Sequence, residues 1–328
     1  MLKIIVILLL ILLLPILHRK GLIVERFNDT NKKSPFPIDI VYTWAGEKKT
    51  DDIRSSNNNE LKYSIISVLK YLPWVNHIYI LMNPPKKRPS WMAEELDNII
   101  TIVDQRDTFP EGYELPNKNS NAIETTLHNI KGLTEHFIYF NDDLFIGKPL
   151  EYTYFFTQDG KAIVSHLCLQ STKMLQEGKE NKLNIKYPDM VQNFYNHVPI
   201  SLLKSSLIEY QQEYPDYIDF VRKNTTRSGL GCDVCGENNL KCPCQQQHFI
   251  IARYMYEQDK AILKEYDIGS NCSKQGYINS SCIDYLDDII ENPPNTFIIQ
   301  DTESDIEKRK EIGKKIQQFF KKFYGNNL

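Results

Sequence analysis

The chain has almost no excess charge of either sign. Its 39 lysines and arginines against 42 aspartates and glutamates leave a formal net charge of -3 over 328 residues. Lysines and glutamates are interspersed, so there is no basic field of the kind that holds nucleic acid, and that class of partner is set aside. Internal repeats and long low-complexity tracts are also missing, which excludes solenoid architectures and extended disordered linkers. No apolar run reaches the roughly 20 residues that span a bilayer comfortably. Cysteine is sparse, and its odd count of seven leaves at least one thiol unpaired within a monomer. Cys168, isolated in an apolar stretch, is the candidate buried free thiol. What is present is 41 % hydrophobic and 25 % charged residues, the balance of a globular chain able to bury a full core as one domain.

The longest apolar run, Ile4 to Leu17, is flanked by Lys3 on one side and His18, Arg19 and Lys20 on the other. A signal peptide and a signal anchor both fit. No small-residue cleavage site follows Leu17, which favours an uncleaved membrane anchor over residues 1–24. The flanking charges nearly balance and leave orientation open. Residues 25–37 are polar, end in Ser-Pro-Phe-Pro and read as a stalk. Asn-x-Ser/Thr sequons start at Asn28, Asn224, Asn271 and Asn279, and these and all the cysteines follow the anchor. The expected placement is a single-pass membrane protein with its folded part in the ER or Golgi lumen if the source is eukaryotic. A bacterial membrane-associated protein is the alternative.

From residue 38 the periodicities of a folded domain begin. Ile38 to Trp44 is a short β-branched and aromatic run with the character of a buried strand. Leu61, Ile65, Val68, Leu69 and Leu72 recur at helical spacing until Pro73 stops them. His77 to Met82 and Ile99 to Val103 predict two more strands. Ile123, Leu127 and Ile130 predict a helix closed by Gly132, and Phe137 to Phe140 a fourth strand. Further helices are predicted around Ser201 to Tyr210, Phe249 to Gln258 and Ile306 to Tyr324. The alternation argues for an α/β, Rossmann-like, mostly parallel sheet with flanking helices, followed by a helical, cysteine-containing C-terminal half.

Three local patterns bear chemistry. The apolar strand Phe137-Ile-Tyr-Phe runs directly into Asn141-Asp142-Asp143, and ligands of parallel α/β sheets bind beyond such carboxyl ends. Adjacent carboxylates there would hold Mg²⁺ or Mn²⁺ against a pyrophosphate; the plainer reading is a turn built from Asn and Asp. Asn121, Glu124 and His128 share a stripe of the predicted helix, with Glu124 and His128 spaced to pair, or simply to decorate a solvated face. Asn58, Glu60 and Lys62 open another helix, whose free N–H groups suit phosphate oxygens, although capping explains the same residues. Asp39 stands apart, a carboxylate near the start of a buried strand that needs a partner.

In combination these segments resemble the Stealth family, which includes bacterial capsular-polysaccharide phosphotransferases. The family's first conserved region is similar to Ile38-Asp-Ile-Val-Tyr-Thr-Trp44 with Gly46. Its second is similar to Asn58-Asn-Glu-Leu-Lys-Tyr-Ser64, Tyr71-Leu-Pro-Trp-Val75, Ser120-Asn-Ala-Ile-Glu-Thr125 and Phe137 to Gly147, in order. The third resembles His197-Val-Pro199 and Thr225-Thr-Arg227, and the fourth Phe297-Ile-Ile-Gln-Asp301, where Gln300 stands in place of the family's usual Asn.

The resemblance implies a catalytic domain over 38–328, interrupted by a cysteine-rich insertion at 228–246. It implies a transferase that moves a hexose or N-acetylhexosamine 1-phosphate from a nucleotide-sugar donor such as UDP-GlcNAc to a glycan, glycoprotein or polysaccharide hydroxyl. His197, Arg227, Asp39, Asp142 and Asp143 are the catalytic set so implied, with His197 as general base and Asp142 and Asp143 as metal ligands. Asn58, Glu60, Lys62, Asn121, Glu124, His128 and Asp301 are the implied substrate-binding set. A glycosyltransferase that releases a nucleoside diphosphate, and an inactive glycan-binding protein, are the alternatives. The insertion's Cys232, Cys235, Cys242 and Cys244 have spacing for a zinc site, but a luminal location favours disulfides, with Cys272 and Cys282 a further bridge.

Overall fold

The computed structural model describes residues 34–47, 58–165, 198–225, 247–264, 277–278, 280–300, 303 and 305–325. The expected anchor, most of the stalk and the cysteine-rich insertion lie outside the described residues. Among the described residues no helix is long and apolar enough to cross a membrane.

Strand β1 (Ile38–Trp44) is buried throughout except at Thr43, as befits a central strand covered on both faces. Helix α1 (Glu60–Tyr71) turns Leu61, Ile65 and Val68 inward and stops before Pro73, which cannot supply the next N–H. There follow β2 (His77–Met82), β3 (Ile100–Asp104), α2 (Ser120–Glu124), β4 (His136–Asn141), β5 (Leu144–Ile146), β6 (Ala162–Ser165) and β7 (Ile200–Leu203). The chain continues through α3 (Lys204–Glu213), α4 (Pro215–Lys223), α5 (Gln247–Glu257), β8 (Ala261–Lys264), β9 (Tyr277–Ile278), α6 (Leu286–Glu291), β10 (Thr296–Ile299) and α7 (Ile306–Tyr324).

The main sheet has the order β3-β2-β1-β4-β7. Its first four strands are parallel, and β7 runs antiparallel to β4. The expected α/β fold with a mostly parallel sheet is therefore present. Two expectations need correction. The helix predicted from Ser201 begins at Lys204, because Ile200–Leu203 pairs with β4 as an edge strand. The helix predicted through Ile130 ends at Glu124 and resumes only as a 3-10 turn at Leu127–Asn129. The hydroxyls of Thr125 and Thr126 bond back to the carbonyls of Ala122 and Ile123, at 2.7 and 2.8 Å, competing with the helix at that point.

A second, smaller core lies on the other side of α1. There β10 pairs antiparallel with β5 and parallel with β9, and α7 packs Ile312, Ile316, Phe319 and Phe320 against Phe145, Phe297 and Tyr63. Tyr63 stacks on Phe320 with ring centroids 4.7 Å apart, a geometry worth about 1 kcal/mol beyond the area it buries. The C-terminal segment is thereby fastened beside the end of β4, and that attachment positions the site.

Candidate functional site

Four parallel strands present their carboxyl ends on one edge of the main sheet, and β4 leaves that edge directly into Asn141, Asp142 and Asp143. The turn is short because β5 begins at Leu144, and β5 is held by hydroxyls of α1. Ser64 Oγ donates to the Leu144 carbonyl and accepts from Tyr42, whose hydroxyl lies 2.8 Å away. Ser67 Oγ donates to the Ser64 carbonyl at 2.6 Å and accepts from the Ile146 N–H at 3.0 Å. All these groups are buried, so the bonds that fix β5 also fix the two aspartates ahead of it.

Asp143 is gripped on one oxygen only. Gln300, which follows β10, donates its amide to Asp143 Oδ2 at 2.6 Å. The other oxygen, Oδ1, is buried and has no hydrogen-bond partner among the described residues, an arrangement that costs free energy unless a cation or donor meets it. Beside it, burial pushes the Asp142 carboxyl well above the usual carboxylate range, and the charges of Asp143 and Glu60 push it further. Glu60 is raised to about 7, first by burial; bonds from its own N–H and from Asn58 oppose the shift, and the charge of Asp143 adds to it. Asn58 donates to Glu60 through its backbone N–H at 2.8 Å and its side-chain amide at 2.9 Å. Gly313 of α7 makes room for Asn58, since a Cβ there would lie 2.5 Å from Asn58 Oδ1.

This corner therefore concentrates carboxyl groups at the end of β4. Among the described residues no group of three or more His, Cys, Asp or Glu side chains is placed to hold a metal ion by itself. Mg²⁺ commonly takes only one or two carboxylates and completes its shell with substrate phosphates and water. Asp142 and Asp143, with the unpartnered Oδ1, fit that requirement.

A second polar chain lines the same edge. The Tyr139 hydroxyl lies 2.8 Å from Thr43 Oγ1, 3.0 Å from Asn141 Oδ1 and 3.3 Å from Glu124 Oε1. Glu124 in turn meets His248 of α5, with Nδ1 at 2.8 Å and the His248 backbone N–H donating at 3.1 Å. The pairing of Glu124 with His128 expected from spacing is not formed. Because α2 ends at Glu124, His128 turns toward α3, where the Gln211 amide lies 3.2 Å from its Nδ1. Burial, then the nearby Arg222 and Lys204, lowers His128 to about 4, so it is neutral at physiological pH.

The structure gathers Asp142, Asp143, Glu60 and Asn58 around the acidic turn, with Glu124 joined to the end of β4 through Tyr139 and Asn121 on the same helix as Glu124. Lys62 lies on the same helix as Glu60, with its ammonium 5.8 Å from the Tyr63 ring centroid. Asp39 is elsewhere: it pairs in register with His77 and Phe137 at the opposite end of the strands. Its buried carboxylate accepts from Asn76 and from the Thr134 N–H, both at 2.8 Å, which supplies the partner that its burial demands.

His197, Arg227 and Asp301 lie outside the described residues. Ile200 pairs with Tyr139 near the end of β4. The Thr225 carbonyl accepts from the Lys118 N–H at 2.7 Å, and Gln300 holds Asp143. Arg222 donates to Thr125 Oγ1 at 2.8 Å and to Gln211 Oε1 at 2.6 Å. The Asn224 sequon side chain is engaged, donating to the Phe220 carbonyl at 2.7 Å.

Residues 54–164, which carry α1, β4 and the acidic turn, match the family model described as Stealth protein CR2, conserved region 2. Those residues thus carry the Stealth conserved region 2. It is 37 % identical over 182 residues to the capsular polysaccharide phosphotransferase fcs1 of Haemophilus influenzae, covering 49 % of this chain and 48 % of that one. It is 30 % identical over 257 residues to the exopolysaccharide phosphotransferase CpsY of Mycobacterium leprae, covering 69 % of this chain and 46 % of the relative. The chain thus spans about half the length of these relatives. The crystal structure of an active-site mutant of LgtC aligns over 88 % of this chain and 84 % of that one, at 11 % identity and a TM-score of 0.40, and adds nothing to the strand order.

Proposed function

We propose that this chain transfers a sugar 1-phosphate from a nucleotide sugar of the UDP-GlcNAc type to a hydroxyl of a polysaccharide or other glycan. The observation that carries the reading is the Asn141-Asp142-Asp143 turn, inside the matched Stealth region, with Asp143 held on one oxygen and, among the described residues, unpartnered on the other. The relatives' names, capsular and exopolysaccharide phosphotransferase, supply the reaction class and favour a polysaccharide acceptor.

In this reaction the acceptor oxygen forms a bond to the phosphorus that bears the sugar. The bond from that phosphorus to the nucleoside monophosphate breaks, and the hydroxyl proton passes to a base, for which His197 is the proposed residue. Transfer of this kind depends on positioning and charge stabilisation. Asp142 and Asp143 would hold Mg²⁺ or Mn²⁺, which when bound offsets the charge of the pyrophosphate. Arg227 and Asp301 are proposed to reach the donor, Asn58, Glu60 and Lys62 its phosphates, and Asn121 the acceptor side. Residues 1–24 are proposed as a membrane anchor that keeps the domain beside its glycan acceptor.

The product tests the reading. Full-length protein incubated with UDP-GlcNAc, a simple glycoside acceptor and Mg²⁺ or Mn²⁺ should yield a phosphodiester resonance in the ³¹P spectrum of the purified product. A product without phosphorus, joined by a glycosidic bond, would replace the reading with that of a glycosyltransferase.

A further inference from the structure

Glu124 and His248 come from opposite halves of the chain, 124 positions apart, and meet in the interior. Both are nearly inaccessible, with side-chain exposures of 3 % and 6 %. A buried carboxylate is costly unless its oxygens are satisfied, and here both are. Oε2 accepts from the His248 backbone N–H, so it is an acceptor oxygen, and the proton between it and the ring sits on Nδ1. Oε1 faces the Tyr139 hydroxyl at 3.3 Å. The imidazole leans over the Tyr139 ring, with centroids 5.2 Å apart.

The Tyr139 hydroxyl carries one proton and has three oxygens within reach among the described residues: Thr43 Oγ1, Asn141 Oδ1 and Glu124 Oε1. Thr43 is able to donate; Asn141 Oδ1 and Glu124 Oε1 only accept. The tyrosine proton is therefore shared between the carboxylate and the residue next to Asp142. The orientation of the Glu124 carboxylate decides that balance, and His248 fixes that orientation with two donors on one oxygen. A pair whose only task was to join α2 to α5 would be served as well by apolar side chains. This one instead leads by contiguous hydrogen bonds to the end of β4.

We propose that His248 is a positioning residue of the phosphotransfer site, acting through Glu124 and Tyr139 on Asn141. The inference rests on the sugar-phosphate reading above and adds to the site a residue that the sequence did not point to. His248 is required as an Nδ1–H donor, so asparagine, whose amide occupies the position of Nδ1, replaces it, whereas glutamine, which mimics Nε2, does not.

The experiment uses the full-length chain. His248→Ala is expected to lower kcat by about 10- to 100-fold, the usual effect of losing a hydrogen bond that orients a catalytic group, with the donor KM within about twofold and an unchanged near-UV spectrum. His248→Asn should recover most of kcat and His248→Gln should not. The ¹⁵N shifts of wild-type His248 should show a protonated Nδ1. The proposal is overturned by a folded His248→Ala with kcat within about twofold of wild type, by an asparagine variant no better than alanine, or by an Nε2–H tautomer. If the variants do not fold, the wild-type tautomer decides. Absence of phosphotransfer by wild type with every donor would remove the reading above, while the tautomer would still test the Glu124 pairing.

Discussion

Gln300 and Asp143 are 157 positions apart, and the Gln300 amide donates to Asp143 Oδ2 at 2.6 Å. This contact ties the C-terminal segment to the acidic turn that ends β4. It also leaves Oδ1 as the oxygen of Asp143 without a partner among the described residues, so the carboxylate is oriented before any substrate arrives.

Gln300→Ala removes that orienting bond without touching either core. On the proposed metal role of Asp143, the divalent-ion concentration for half-maximal activity is expected to rise about tenfold, the usual effect of losing a bond that orients a metal ligand, while the thermal midpoint moves little. Gln300→Asn, which restores the residue usual in the family, should regain part of the loss. A metal titration of initial rates measures both; an unchanged requirement in Gln300→Ala would show that Asp143 needs no orientation from this side.

Asp39 is expected to matter for folding. Removing its carboxylate in Asp39→Ala leaves the half-buried Thr134 N–H without its acceptor, at a cost of about 1–3 kcal/mol, while the exposed Asn76 amide can turn to solvent. Activity per folded molecule should remain close to wild type, because the residue lies at the far end of the sheet from Asp142. Urea denaturation and a rate normalised to folded protein separate the two effects. A stable variant without activity would put Asp39 back among the catalytic residues.

Stability should fall as pH rises toward neutrality. Glu60, raised to about 7 chiefly by burial, keeps its proton in the native state at pH values where the unfolded chain has lost it. Between the ordinary carboxylate value of about 4.3 and 7 the native state binds more protons than the unfolded state, so the stability it contributes is present at low pH and lost through this window. Asp142 acts in the same direction. Glu60→Gln should flatten the dependence of the urea midpoint between pH 5 and 8, and a midpoint that rises with pH in the wild type would contradict the assignment.

The strands of the main sheet were legible because β1, β2 and β4 are continuous apolar runs bounded by polar segments, and Pro73 marked the end of α1. The acidic turn was legible because its three polar residues follow such a run directly. The end of α2 was not, since Thr125 and Thr126 act through hydroxyl bonds that an apolar period does not register. β7 was hidden because four apolar-rich residues joined to a helix carry no period of their own. The Glu124–His248 pair lay beyond any local pattern, being set by how α5 packs on the sheet. Gln300 stood out as a departure from the Stealth pattern, but its partner was not readable from the sequence.

The central claim is tested most directly by identifying the nucleotide released when the full-length chain turns over UDP-GlcNAc with a glycan acceptor and a divalent ion. Sugar-phosphate transfer predicts UMP, formed in step with product and lost in Asp143→Ala. UDP would contradict it, since the acceptor would then have attacked the anomeric carbon and left both phosphates with the nucleotide.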